Sequence, residues 1–308
     1  MPPTTTVTAA FIESPRTRAL LSGAVAVAGL DWQVAAVSPG DLFARQLKSA
    51  EFDVSELSMS SYAIALAQGN DTWTALPVFT SREFFHTGII VREDSPLHDP
   101  RELRGKRVGV LEYQQTSVVW IRGILQHHYG IDPRELEWYM ERRPEKSHGG
   151  STGFVPPNGI RLQYVDEASS LAALLMDGTI DAILFYPQLN DAIDRKPGDH
   201  RTALRARTLL ADPAAEGLRY RAATGIVPIN HGVVIRRTLL RERPGLAAEV
   251  YRALVASRDA AGDRDGFPYG IASNRVALDT LTQYLDEQHL TARRLSLDEL
   301  FAPGSEWQ

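Results

Sequence analysis

The sequence predicts an α/β protein of two lobes, joined by two crossover strands, with a ligand cleft between the lobes. Three observations lead there. The chain has 308 residues, more than one hydrophobic core usually organises. Strand and helix patterns alternate at 52–69 and at 107–185. Two long extended passages, 78–92 and 224–235, separate the alternating segments. The expected lobes are 1–88 with 232–308, and 89–231. In such sheets ligands sit at strand carboxyl ends, so a cleft there is the expected site.

In chain order, Arg18 to Leu30 reads as a helix after the turn signal Ser14-Pro15, and Trp32 to Val37 alternates as a strand. A second helix is expected from an Asp41 N-cap to about Ser49. Residues 52–69 give a short strand, a serine-rich turn holding Ser58, Ser60 and Ser61, and a helix closed by Gly69. Those serines either cap the helix or turn hydroxyl and N–H donors toward a cleft. Residues 74–92 hold two apolar runs joined by Thr80-Ser81-Arg82. On a continuous strand Arg82 and His86 share a face. A lone strand histidine is commonly structural; an arginine beside it strengthens the case for a site.

The stretch RVGVLEYQQTSVVWIRGIL, 107–125, is the centre of the chain. Val108, Val110 and Leu111 suit a buried strand, and from Thr116 apolar residues at 118, 121 and 125 mark one face of a helix. The polar junction 112–117 then offers a helix start, with free N–H groups and positive dipole, as a seat for carboxylate or phosphate. The plainer alternative is that Thr116 and Ser117 only cap the helix. Residues 141–159, charged and rich in Gly and Pro, read as a long surface loop, either a lid or a disordered excursion. Leu162–Val165 is a strand, Ser169–Met176 a helix stopped by Asp177-Gly178, and Ile180–Phe185 a strand followed by Tyr186-Pro187. Residues 190–223 receive no assignment. A strand over 224–237, interrupted by Pro228, carries His231 among apolar neighbours. Helices over 246–260 and 274–288 flank the loop GDRDGFPYG, and LSLDELF ends the fold.

Hydrophobic content of 44% and charged content of 23% are ordinary for a globular chain. A net charge of −5 and a pI near 5.9 give no support for nucleic-acid or anionic-membrane partners. With no cysteine, disulfides, thiolate catalysis and cysteine metal sites are excluded. The N-terminus lacks a basic start and apolar core, so a cytoplasmic location is expected. Adjacent His127 and His128 point about 100° apart on a helix and cannot chelate one ion. No metal site is expected.

The segments SELSMSSY, PVFTSREFFHTGIIVRED, LRGKRVGVLEYQQTSVVWIRGIL, TGIVPINHGVVIRR and PYGIASNRVALDTLTQYLDEQHLTARRLSLDELF together resemble the 4,5-dihydroxyphthalate decarboxylase family. That family is similar to type II periplasmic solute-binding proteins turned to catalysis in the cytoplasm. The resemblance runs from about residue 16 to 301. It departs at Phe185-Tyr186-Pro187, where a basic residue is expected, at Ile229-Asn230-His231, at Arg219-Tyr220-Arg221, and in the loop 144–155.

The resemblance implies loss of CO2 from a hydroxylated aromatic acid, with 4,5-dihydroxyphthalate giving protocatechuate. A hydroxyl para to the carboxylate feeds electrons into the ring, so the ipso carbon accepts a proton. The route needs a general acid, a partner for the phenol and carboxylate anchors, with no metal or organic cofactor. His231 is the first choice for proton donor, with His86 second or as the phenol's partner. Arg82 would hold a carboxylate bidentately. Gln114, Thr116 and Ser117 would hold the other, Ser60 and Ser61 would line the opposite wall, and Tyr186 would contact substrate. Glu112 would orient a histidine, hold a catechol hydroxyl, or cap the helix. The expected partner is a small aromatic carboxylate; homo-oligomerisation is left open. The alternative from another class is a solute-binding protein that grips a carboxylate ligand without turnover.

Overall fold

The computed structural model describes residues 5–27, 29–147, 152–184 and 205–304. Its strands are β1 (Thr5–Phe11), β2 (Leu30–Ala36), β3 (Val54–Ser58), β4 (Trp73–Arg82), β5 (Ile89–Arg92), β6 (Arg107–Val110), β7 (Glu137–Met140), β8 (Arg161–Tyr164), β9 (Ala182–Leu184), β10 (Ala206–Thr208) and β11 (Ile229–Arg236). The chain divides into two compact units. The first comprises Met1–Arg82, Ile229–Thr282 and Arg293–Gln308, and the second Glu83–Pro228 with Gln283–Ala292. The expected lobes changed over at 88/89 and 231/232. Residues 283–292, expected in the first lobe, cluster with the second unit.

The first unit holds a sheet ordered β2-β1-β3-β11-β4. β1 runs parallel to β2 and β3, while β11 is antiparallel to both β3 and β4. Every residue of β3 is buried, the pattern of a central strand covered on both faces. The helix Leu246–Ala260 packs Leu246, Val250 and Leu254, spaced four apart on one helical face, against Val7, Phe11, Val54 and Ile235. β4 and β11, the two expected crossover strands, both belong to this unit. They pair with each other up to its boundary, where Ile229 lies opposite Arg82.

The second unit holds a sheet ordered β10-β5-β9-β6-β7-β8. β9, β6, β7 and β8 are parallel, and β10, β5 and β9 pair antiparallel. Gly109 of β6 is required by packing: a Cβ there would lie 2.5 Å from Leu171 and 2.8 Å from Ile180. The helix Thr116–Tyr129 follows β6, as the sequence predicts.

Several elements differ from expectation. The first helix is one turn, Arg18–Leu21, because Gly23 takes a left-handed φ of 75° and the Val25 N–H returns to the Ala19 carbonyl. β1 was not anticipated; its small, threonine-rich run carries a weak apolar pattern. Nor was the helix Pro213–Thr224, which buries only Gly217 and Tyr220 and so shows no apolar stripe. Its termini mark it instead. Asp212 accepts from the Ala215 N–H, Pro213 opens the first turn, and Gly225 closes it at φ 72°. Among the described residues, no helix is long and apolar enough to cross a membrane.

Candidate functional site

His231 stands in the first unit on β11, opposite Ser58 of β3 and Ser81 of β4. The pairing with β4 is irregular on both sides of it. Bulges of this kind re-aim a side chain. Its imidazole meets the Phe43 ring edge-on at 4.8 Å, and Nδ1 lies 3.7 Å from Glu56 Oε2. Nδ1 is buried and makes no hydrogen bond among the described residues, while the side chain as a whole is 12% exposed. Glu56 is buried and accepts from the Thr80 hydroxyl at 2.6 Å and the Ile12 N–H at 3.0 Å. Ser61 donates to Ser58 Oγ at 3.3 Å, and Ser58 and Ser60 hydroxyls lie 3.4 Å apart. All three serines are buried around the start of the helix Met59–Ala67, with Ser58 as N-cap residue. Arg82 ends β4, half-buried. The space beside Gly232 is occupied by Met59, whose Sδ would lie 2.4 Å from a Cβ placed there.

In the second unit the 112–117 turn is buried throughout the named site positions Glu112, Gln114, Thr116 and Ser117. Glu112 is gripped by Arg142 at 2.7 Å, by the Ser147 hydroxyl at 2.8 Å and by the Gln114 amide. The Gln114 amide also reaches Ser147 Oγ at 3.1 Å. Such a buried carboxylate is held by a cation and neutral donors together. The loop expected on the surface over 141–159 therefore contributes buried Arg142, Ser147 and Thr152. The N-cap of the Thr116–Tyr129 helix is Gln115, without a side-chain cap bond. Thr116 and Ser117 are thus the first two residues of the helix rather than its N-cap residue. Ser117 Oγ is buried without a hydrogen-bond partner among the described residues. Behind the turn, buried Arg122 donates Nε to Gln288 at 2.8 Å and Nη1 to the Tyr113 carbonyl, and stacks 3.7 Å over the Tyr113 ring.

His86 is not on a strand. It lies in the 3-10 turn Phe85–Gly88, formed because the Thr87 N–H and hydroxyl both return to the Phe84 carbonyl, at 2.9 and 2.8 Å. It therefore shares no strand face with Arg82, which lies in the other unit. Its side chain has no exposure, with Nε2 3.3 Å from Glu216 Oε1 in a misaligned approach that forms no hydrogen bond. Tyr220 stands between His86 and His128, its ring centroid 5.0 and 5.1 Å from theirs. Burial pushes the His86 imidazole down to about 4, against the upward pull of Glu216. Glu216 itself, although burial raises it, is held below its usual range by Arg219 and by the Tyr129 hydroxyl, each at 2.6–2.7 Å.

The structure thus gathers His231, Ser60 and Ser61 in one unit and Glu112, Gln114, Thr116 and Ser117 in the other, and sets His86 in a separate cluster. Tyr186 lies outside the described residues. Sequence reasoning missed Glu56 and Arg142. Glu56 had a signal, an acidic residue inside the strand-like VSEL; Arg142 had none, sitting in a run of charge. Among the described residues no group of three or more His, Asp or Glu is placed to hold a metal ion.

Two mixed sheets flanked by helices define a periplasmic-binding-protein-like fold. The aliphatic sulphonate binding protein SsuA of Escherichia coli aligns over 98% of this chain and 93% of its own, with a TM-score of 0.58 at 12% identity. The desulfurization enzyme DSZB aligns over 97% and 96%, with a TM-score of 0.55 at 17% identity. The chain belongs to the family described as ABC transporter, phosphonate, periplasmic substrate-binding protein, whose model matches residues 27–265. Two curated relatives are 4,5-dihydroxyphthalate decarboxylases. That of Comamonas testosteroni is 29% identical over 317 aligned positions, covering 94% of both chains. That of Pseudomonas putida is 33% identical over 169 positions, covering 55% of this chain and 66% of its own.

Proposed function

We propose that the protein decarboxylates a hydroxylated aromatic acid of the 4,5-dihydroxyphthalate kind, with His231 as proton donor. The observation that carries this reading is the likeness to a named decarboxylase over 94% of both chains. The fold is neutral, since a sulphonate-binding protein and a desulfurization enzyme both have it. His231 is preferred over His86 on two grounds. The His231 side chain keeps some exposure, whereas burial holds the unexposed His86 neutral at pH 7.

In the proposed step, imidazolium transfers a proton to the ipso carbon, the C–H bond forms, and the aryl–carboxylate bond breaks. The electrons of that bond restore the aromatic ring, CO2 departs, and neutral imidazole recovers a proton from water. Arg82, Ser60, Ser61, Gln114, Thr116 and Ser117 are the proposed carboxylate and hydroxyl contacts. A cytoplasmic setting goes with the reading.

The second reading is ligand binding without turnover, favoured by membership of a substrate-binding family. Incubating the purified protein with a panel of hydroxylated aromatic acids, while following CO2 and the product's absorbance, separates the two. Turnover of at least one hydroxylated acid is expected. Tight binding across the panel with no CO2 would establish the binding protein instead, and cell fractionation would then place it outside the inner membrane.

A further inference from the structure

We infer that Glu56 is the positioning residue of His231, fixing which imidazole nitrogen holds a proton when the ring is neutral. The inference rests on the decarboxylase reading for its kinetic consequence, but not for its geometry. β11 and β3 are antiparallel, with His231 opposite Ser58 and Val233 opposite Glu56. His231 and Glu56 are therefore diagonal neighbours on one sheet face, within reach of two long side chains. The observed separation of 3.7 Å from Nδ1 to Oε2 exceeds a formed hydrogen bond. Catalytic contacts are commonly loose before ligand binds and tighten with it.

What makes Glu56 more than a neighbour is how it is held. Among the described residues its hydrogen-bond donors, the Thr80 hydroxyl and the Ile12 N–H, are neutral. They orient the carboxylate and leave its charge for the imidazole. Thr80 reaches it because β4 bulges: between His231 and Val233 the partner on β4 jumps from Ser81 to Leu76. A bulge strips backbone groups of their ladder bonds, and here the loop 262–270 and Arg16 replace them. Arg16 Nε donates to the Thr80 carbonyl at 3.1 Å, and the Gly270 N–H to the Pro77 carbonyl at 2.8 Å. Arg16 is in turn fixed by Asp263 at 2.7 Å and lies 3.6 Å over the Phe267 ring. The loop GDRDGFPYG thus braces the bulge that aims Thr80 at Glu56. With Nδ1–H directed to Glu56, Nε2 is the nitrogen left to deliver the proton to substrate. A carboxylate that holds a histidine in one tautomer is the logic of hydrolase triads.

The test compares Glu56→Gln with wild type by 15N-histidine NMR and by kinetics, with His231→Asn identifying the His231 resonances. Neutral His231 in wild type is expected to show one tautomer, protonated at Nδ1, and Glu56→Gln to show a mixture. In the active protein kcat is expected to fall about tenfold or more with KM little changed, and Glu56→Asp to recover part of the loss. Should wild type turn over no aromatic acid, the decarboxylase reading fails, and the NMR comparison alone decides the pairing. If Glu56→Gln does not fold, Thr80→Val loosens the carboxylate and is expected to shift the same resonances by less. Unchanged His231 resonances in the folded variant would overturn the inference.

Discussion

Beside the half-exposed pair His127–Glu287, each unit contains one well-shielded histidine next to a glutamate, and these two have opposite characters. Glu216 is engaged by the Arg219 guanidinium and the Tyr129 hydroxyl, and His86 beside it is sealed among aromatic rings. Glu56 is engaged by neutral donors, and His231 retains 12% exposure at a bulged strand. Proximity of carboxylate to imidazole is therefore not the functional signal. A carboxylate already paired with arginine does not compensate the desolvation of a buried ring, so burial holds His86 neutral. The comparison makes an unequal prediction for two residues that look alike in sequence.

The largest expected contrast is catalytic. His231→Asn is expected to lower kcat by about a hundred- to ten-thousand-fold, with KM for the aromatic acid little changed. His86→Asn should retain most turnover in whatever fraction folds. Activity normalised to folded protein by circular dichroism checks both. Turnover near wild type in His231→Asn with loss in His86→Asn would reverse the roles.

A smaller contrast lies in pH-dependent stability. His86 titrates near 4 in the folded state against an ordinary 6.5, so the unfolded chain binds its proton first. The contribution is fully present above about 6.5 and is lost as pH falls toward 4, amounting to roughly 3 kcal/mol. Urea unfolding of wild type and His86→Gln at pH 7, 5.5 and 4 should show a shallower acid loss in the variant. Equal slopes would mean that His86 is not held neutral by burial.

The smallest contrast concerns two glycines. A Cβ on Gly123 would lie 2.1 Å from the Tyr284 ring, whereas one on Gly232 would meet the flexible Met59 sulfur. Gly123→Ala is expected to cost about 1–3 kcal/mol. Gly232→Ala should cost less, because Met59 can swing aside. Melting temperatures rank them.

What the sequence made legible follows physical signal strength. The β6–helix junction, the serine turn and the helix Leu246–Ala260 were readable because apolar periodicity and turn residues agree there. β1 was not, since its buried residues include the small Ala9 and Ala10, which leave only a weak apolar signature. The helix Pro213–Thr224 carries its information in its caps. His86 was misread as a strand residue because its apolar neighbours look extended, while a local threonine bond turns the chain. Glu56 became visible only through register, since its value lies in being two residues from the partner of His231.

The sheet order β2-β1-β3-β11-β4 has a consequence for the chain on the ribosome. β11 is inserted between β3 and β4, yet it is translated only after residues 83–228. At about 5–20 residues per second, that interval lasts roughly 7 to 30 s. Throughout it, β3 and β4 each wait with a row of backbone N–H and C=O groups unpaired, and His231 has not yet been made. A nascent-chain release series should therefore show the first sheet becoming protease-resistant only once residue 236 has cleared the exit tunnel, long after its other four strands have emerged.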